Sequence, residues 1–173
     1  MDKNYSLKES EKYFRALEGK LRSPLFGKEL AFVAKGCDDV YAVRCAEYFE
    51  GITPENLAEH TAFHKALSAL VEYLADLLDE DDYDIGDVDF DEDSTVEDLL
   101  KLVEPTALVF EKLGLLSDDE CPVAFSLKLG FLPVPDESME IALHGDEAIY
   151  AGEFSGVSPW NDKLLKKKWN YLR

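Results

Sequence analysis

The most telling absence in this chain is local. From Asp76 to Asp98 there are thirteen Asp and Glu residues and no Lys or Arg. Over the full length 18 basic residues face 37 acidic ones, a formal net charge of −19. A surface of that sign repels nucleic acid and attracts cations or basic proteins. Cysteine is scarce: Cys37, Cys45 and Cys121 are odd in number and unrelated in spacing. That pattern argues against a disulfide framework and predicts reduced, mostly buried thiols in a cytoplasm. No window reaches the eighteen or so apolar residues of a membrane span, so no membrane association is expected. The opening Met1-Asp2-Lys3-Asn4 has no apolar stretch of the kind that marks a secretory leader, which also points to the cytoplasm. There is no C-x-x-C pair, no His/Cys zinc spacing, no Gly-x-Ser-x-Gly elbow and no glycine-rich phosphate loop.

Apolar material is plentiful. The 173 residues are 46% hydrophobic and include ten Phe, eight Tyr and two Trp, enough for one well-packed domain. Charge is distributed unevenly along the chain. Residues 1–44 are slightly positive, residues 45–162 strongly negative, and residues 163–173 carry five basic groups and no acidic one.

Periodicity predicts the elements. Ser6-Leu7-Lys8-Glu9 has capping-box form and predicts a helix to about Leu21. Glu29 to Ala34 reads as a strand ended by Gly36. Asp38 or Asp39 would cap a second helix that stops near Gly51. Thr53-Pro54 predicts the start of the longest helix, running to about Leu78 with an apolar stripe that includes Phe63, Leu67, Leu70 and Leu74. Ser94-Thr95-Val96-Glu97 predicts a short helix ending before Pro105. From there the period becomes two. Thr106–Phe110, Val123–Phe131, Met139–Leu143 and Ala148–Phe154 read as strands, with a turn at His144-Gly145-Asp146-Glu147. A basic amphipathic helix is predicted at about 161–173, with Leu165, Trp169 and Leu172 on one side. The expected fold is a single α+β domain over 1–173, its helices in the first half packed on a mostly antiparallel sheet formed largely by the second half.

Candidate chemistry is thin. His60 and His64, four apart on the predicted long helix, would share a face and could serve as a metal pair, with Glu59 adjacent. The glutamate precedes both histidines, so the order of zinc proteases is absent, and the plain reading is a pair of boundary histidines. Asp87, Asp89, Asp91, Asp93 and Asp98 resemble a calcium loop. It departs from that pattern at the sixth place, where Glu92 replaces glycine, and at the twelfth, where Asp98 replaces a bidentate glutamate. No cofactor is expected and no catalytic residue can be named, so the sequence gives an enzyme no support.

Short motifs spread along most of the chain carry a resemblance. They are Ser23-Pro24-Leu25-Phe26-Gly27-Lys28-Glu29, Tyr41-Ala42-Val43-Arg44-Cys45-Ala46-Glu47-Tyr48, Val103-Glu104-Pro105-Thr106, Ile149-Tyr150-Ala151-Gly152, Ser158-Pro159-Trp160 and Trp169-Asn170-Tyr171. In these the chain resembles an uncharacterised family of small bacterial cytoplasmic proteins, a domain of unknown function that is immunity-protein-like. It departs from that family at Phe131-Leu132-Pro133-Val134-Pro135-Asp136-Glu137, where a tryptophan-rich stretch is replaced by one without tryptophan. The resemblance implies a non-enzymatic immunity protein that neutralises a toxin. The charge implies a basic, nuclease-like partner, met by Asp79, Glu80, Asp81, Asp82, Asp84, Asp87, Asp89, Asp91 and Asp93, with Tyr83 and Phe90 as aromatic anchors. The alternatives are a metal-dependent hydrolase using His60 and His64, or a housekeeping protein whose charge keeps it soluble.

Overall fold

The computed structural model of the protein describes residues 4–80, 83 and 85–172. It contains a seven-stranded sheet whose spatial order follows the chain order. The strands are β1 (Lys8–Glu9), β2 (Ala16–Ser23), β3 (Lys28–Lys35), β4 (Val103–Glu111), β5 (Ala124–Phe131), β6 (Ser138–His144) and β7 (Glu147–Glu153). All neighbours are antiparallel except β3 and β4, which run parallel. Parallel neighbours need a crossover. Here it carries three helices: α1 (Asp39–Glu50), α2 (Thr61–Glu80) and α3 (Val96–Leu102). The α+β class expected from the sequence is the one observed.

All three helices belong to this crossover. On the sheet, Phe32, Ala34, Leu108, Phe110, Phe125, Leu127, Leu129 and Ile141 join the same buried cluster as Phe49, Phe63, Leu67, Leu70 and Leu74 of α1 and α2. At its centre Phe49 meets Phe63, Phe110 and Phe125 with ring centroids 6.1, 6.4 and 5.5 Å apart. Such offset and edge-on pairs add about 0.5–1.5 kcal/mol each beyond the area they bury.

The N-terminal helix expected from Ser6 to Leu21 is absent; β1, a turn and β2 occupy that span. Gly19 supplies the reason. A Cβ there would stand 2.6 Å from Phe32 Cζ and 2.8 Å from Leu7 Cδ2, so the missing side chain lets β2 lie against β3 with the Phe32 ring seated over it. In a helix the same glycine would have cost about 1 kcal/mol relative to alanine.

Two boundaries also shift. Thr53 and Asn56 bond each other's backbone N–H, at 2.8 and 3.3 Å, and close a turn after Gly51. A short 3-10 turn, Leu57–Glu59, follows, and α2 starts only at Thr61. The capping box of α3 sits one residue later than expected, with Thr95 as N-cap and Asp98 as its reciprocal partner. By contrast Asp38 caps α1 and Gly51 ends it, as anticipated.

The basic C-terminal helix is likewise replaced by a single 3-10 turn, Asp162–Lys166, and an extended tail. Asn170 explains this. Its buried amide donates to Ile149 O (2.8 Å) and Leu164 O (3.0 Å) and accepts from Ala151 N (3.1 Å) and Leu172 N (3.2 Å). Together with Tyr171 N bonding Ala151 O, it pins the tail along the free edge of β7. Helical backbone there would forfeit all of these bonds.

Replacing Asn170 with Ala removes a partner from four backbone groups, of which Leu164 O keeps its bond from Lys167 N, and a truncated buried partner of this kind costs about 1–3 kcal/mol. Urea unfolding of Asn170→Ala is therefore expected to show a loss of at least about 2 kcal/mol, while Lys167→Ala on the exposed tail stays within about 0.5 kcal/mol of wild type. Equal, small effects from both would contradict the role given to Asn170.

Candidate functional site

The acidic segment begins as the last turns of α2 and continues as the connection to α3. Ile85, Val88 and Phe90 pack against the main core, and Phe90 is only 8% exposed. Its ring is therefore part of the fold and is not presented to a partner, a correction to its expected use as an anchor. Tyr83 is half-buried and donates its hydroxyl hydrogen bond to Glu137 Oε1 at 2.6 Å, tying the segment to the β5–β6 turn.

The carboxylates lie around these anchors. Asp79, Glu80, Asp87, Asp89, Asp91, Glu92 and Asp93 are all exposed. Among the described residues none of the seven forms an ion pair with Lys or Arg. Asp81, Asp82 and Asp84, also expected to contact a partner, lie outside the described residues. Local bonds set the backbone: Asp93 N donates to Asp91 Oδ1 (2.9 Å) and Asp91 N to Ser94 Oγ (3.0 Å). Asp98, the twelfth position of the calcium-like pattern, is taken up by the α3 cap, accepting from Thr95 N and Oγ1 at 3.0 and 2.7 Å. The backbone bond from Thr95 above all, then its hydroxyl and the neighbouring Lys101, hold the Asp98 carboxyl below the usual range.

The two histidines are not both on α2, since His60 lies one residue before it and His64 in its first turn. His60 precedes α2 and accepts from His64 N at 2.9 Å through its carbonyl, and its ring meets Tyr48 edge-on with centroids 5.6 Å apart. Among the described residues no group of three or more His, Cys, Asp and Glu side chains is arranged to hold a metal ion. The hydrolase reading thus lacks a ligand set there. His144 stacks on Trp160 at 4.7 Å and approaches Asp162 at 3.3 Å, an arrangement that ties the tail to the β6–β7 turn.

Sequence reasoning missed two polar constellations. The first lies at the carboxyl ends of β3 and β4, where open sheets containing parallel strands commonly bind ligands. Asp118 Oδ2 accepts from Asp38 N (3.0 Å), and Lys112 Nζ stands 3.1 Å from Asp118 Oδ1. Arg44 donates to the carbonyls of Asp118, Asp119 and Cys121 and so fixes the loop that carries Asp118. A hydrogen bond with Asp118 raises the Asp38 carboxyl, as expected when two carboxyl groups share one proton. Burial works against ionised Asp118, but its bonds with Asp38 and Lys112 hold it below the ordinary value. Burial, reinforced by both aspartates, pushes the Cys37 thiol up to about 12. A thiol so raised stays protonated near neutrality and is a poor nucleophile.

The second is on the sheet face opposite the helices. Glu140, only 2% exposed, accepts at Oε2 from Ser155 N, Gly156 N and Val157 N, at 3.1, 2.9 and 3.2 Å. This latch folds the segment after β7 back over the sheet. Beside it, Lys35 and Lys128 border an open recess. In the sequence these lysines read as ordinary solvent-facing positions of alternating strands, and nothing marked them. No family model, curated protein or solved structure matches this chain.

Burial is the main influence on Glu140 and moves its carboxyl above the ordinary value, against the three backbone donors and Lys128. A group raised in the folded state adds stability below its unfolded pKa and loses that contribution as pH rises through its folded pKa. Glu140→Gln removes the dependence. The stability of wild type minus that of Glu140→Gln is accordingly expected to be largest near about pH 4 and to fall towards neutrality. Denaturant titrations at several pH values measure this, and a difference that grows with pH would contradict it.

Proposed function

We propose that the protein is a non-catalytic binding module that engages a basic protein through its acidic end. The observation that carries this reading is the combination of fixed position and uncompensated charge. Seven exposed carboxylates between Asp79 and Asp93, two at the end of α2 and five on a connection anchored by Ile85, Val88 and Phe90, have no ion-paired cation among the described residues. Exposed like charges repel one another and weaken the compact state, so leaving them unpaired costs stability that a cationic partner would restore. Because the connection is anchored, less ordering entropy is lost on binding than for a free acidic tail.

The finer reading is an immunity protein for a nuclease-like toxin, and it rests on the family resemblance together with the charge. Nuclease grooves carry Lys and Arg to hold phosphate, and a dense carboxylate surface would be steered to such a groove and block it. Tyr83, tied to Glu137, is the one aromatic group of the original anchor pair that is not fully buried.

The test is co-purification of tagged wild type and of the triple variant Asp87→Lys, Asp89→Lys, Asp91→Lys from the native host at low and moderate salt. All three positions are exposed, so the variant is expected to fold. The expected outcome is a basic protein held by wild type, released by salt and not retained by the variant, with association slowed by about tenfold or more. Equal retention by both forms would place the interface elsewhere.

A further inference from the structure

On the face of the sheet away from the helices, the N-terminal turn covers one side and the segment after β7 covers the other. Between them the centre of the sheet is open. Ala31 and Ala107 are exposed there and Val33 and Val109 half-exposed, forming an apolar floor on β3 and β4. Two adjoining recesses of about 510 and 240 Å³ lie over this floor, and both are lined by Tyr13, Ala107 and Val109. Together they fall within the usual range for small-molecule sites.

The charged groups here are matched unequally. Each carboxylate on the trough is already engaged. Glu18 accepts from Ser10 Oγ (2.7 Å), Glu111 Oε1 from Ser158 Oγ (2.9 Å), and Glu140 from three backbone N–H groups. Lys8 and Lys20, on the larger recess, pair with Glu18 and Glu29 at 3.6 and 2.9 Å. Lys35 and Lys128, on the smaller recess, have no carboxylate within ion-pair distance among the described residues. Each instead lies over an aromatic ring, Lys35 over Tyr13 at 4.9 Å and Lys128 over Phe154 at 4.2 Å. Glu111 and Glu140 stand opposite Lys35 and Lys128 in the strand register, but the first is bonded to Ser158 and the second turned to three backbone N–H groups, so two half-buried lysines with no ion-pair contact at one end of an apolar trough mark a place for a ligand's negative charge.

We infer that this trough binds a small amphipathic anion, its apolar body on Ala31, Val33, Ala107 and Val109 and its anionic group beside Lys35 and Lys128. Apolar floor and cationic end select together. A fully polar anion would leave the floor in water, and a neutral hydrocarbon would leave the ammonium groups unmatched. The site is independent of the acidic end and would hold whether or not that end has a partner.

Decanoate is a suitable probe, with decanol as its uncharged counterpart, in an amide NMR titration of the full chain. The expected result is saturable shifts centred on Ala31, Val33, Ala107 and Val109, with decanol binding at least about tenfold more weakly, since a charge-assisted contact accounts for that factor. Lys35→Gln with Lys128→Gln should weaken decanoate by about tenfold or more while leaving the remaining amide spectrum unchanged. Ala107→Phe, at an exposed position, should fill the floor and abolish binding. No saturable shift with wild type, unchanged affinity in the lysine double variant, or shifts that follow protein concentration because a second copy closes the trough would each overturn the inference.

Discussion

Phe49 sets the arrangement on which everything else rests. Its ring, fully buried on α1, meets Phe63 of α2, Phe110 of β4 and Phe125 of β5, so one side chain joins both long helices to the middle of the sheet. Because the helices all sit in the single crossover between parallel β3 and β4, this cluster holds them on one face. Two consequences follow. The other face has only the N-terminal turn and the tail to cover it, and its centre stays open. The connection from α2 to α3 is carried to one end of the molecule, where Phe90 docks and its acidic neighbours face solvent.

Charge then differs between regions in a way the total of −19 conceals. The acidic end shows carboxylates without ion-paired cations among the described residues, and the open trough shows two lysines, Lys35 and Lys128, whose neighbouring carboxylates are bonded elsewhere. The basic tail does not neutralise the acidic segment: Lys163, Lys166, Lys167 and Lys168 are exposed and make no ion pair among the described residues. The tail is held instead by Asn170, a neutral side chain that completes the edge of β7.

Much of the second half was legible because alternation and turn chemistry agreed with the tertiary outcome. Val123–Phe131 and Met139–Leu143 show period two, and Gly145 closes the hairpin with φ +53°. The Asp38 cap and the Gly51 stop gave α1 for the same reason. The first twenty residues misled because Ser6–Glu9 imitates a helix cap, whereas the deciding residue, Gly19, acts through a contact with Phe32 thirteen positions away. The acidic segment was legible as charge but not as structure. Whether Phe90 points outward or inward depends on the core it meets, which composition does not encode. The lysine-bordered trough was invisible for a similar reason, since Lys35 and Lys128 come together only when β3, β4 and β5 pair.

We propose that the carboxylates of the acidic end form the surface that engages a basic partner. Zero-length carbodiimide cross-linking in host extract, followed by mass spectrometric mapping, reads this directly because it joins only carboxylates and amines already in contact. On this proposal lysines of one basic protein become joined to Asp79, Glu80 and the aspartates between 87 and 93. Cross-links concentrated on Glu18, Glu29 or Glu120, with the acidic end unmodified by partner lysines, would contradict it.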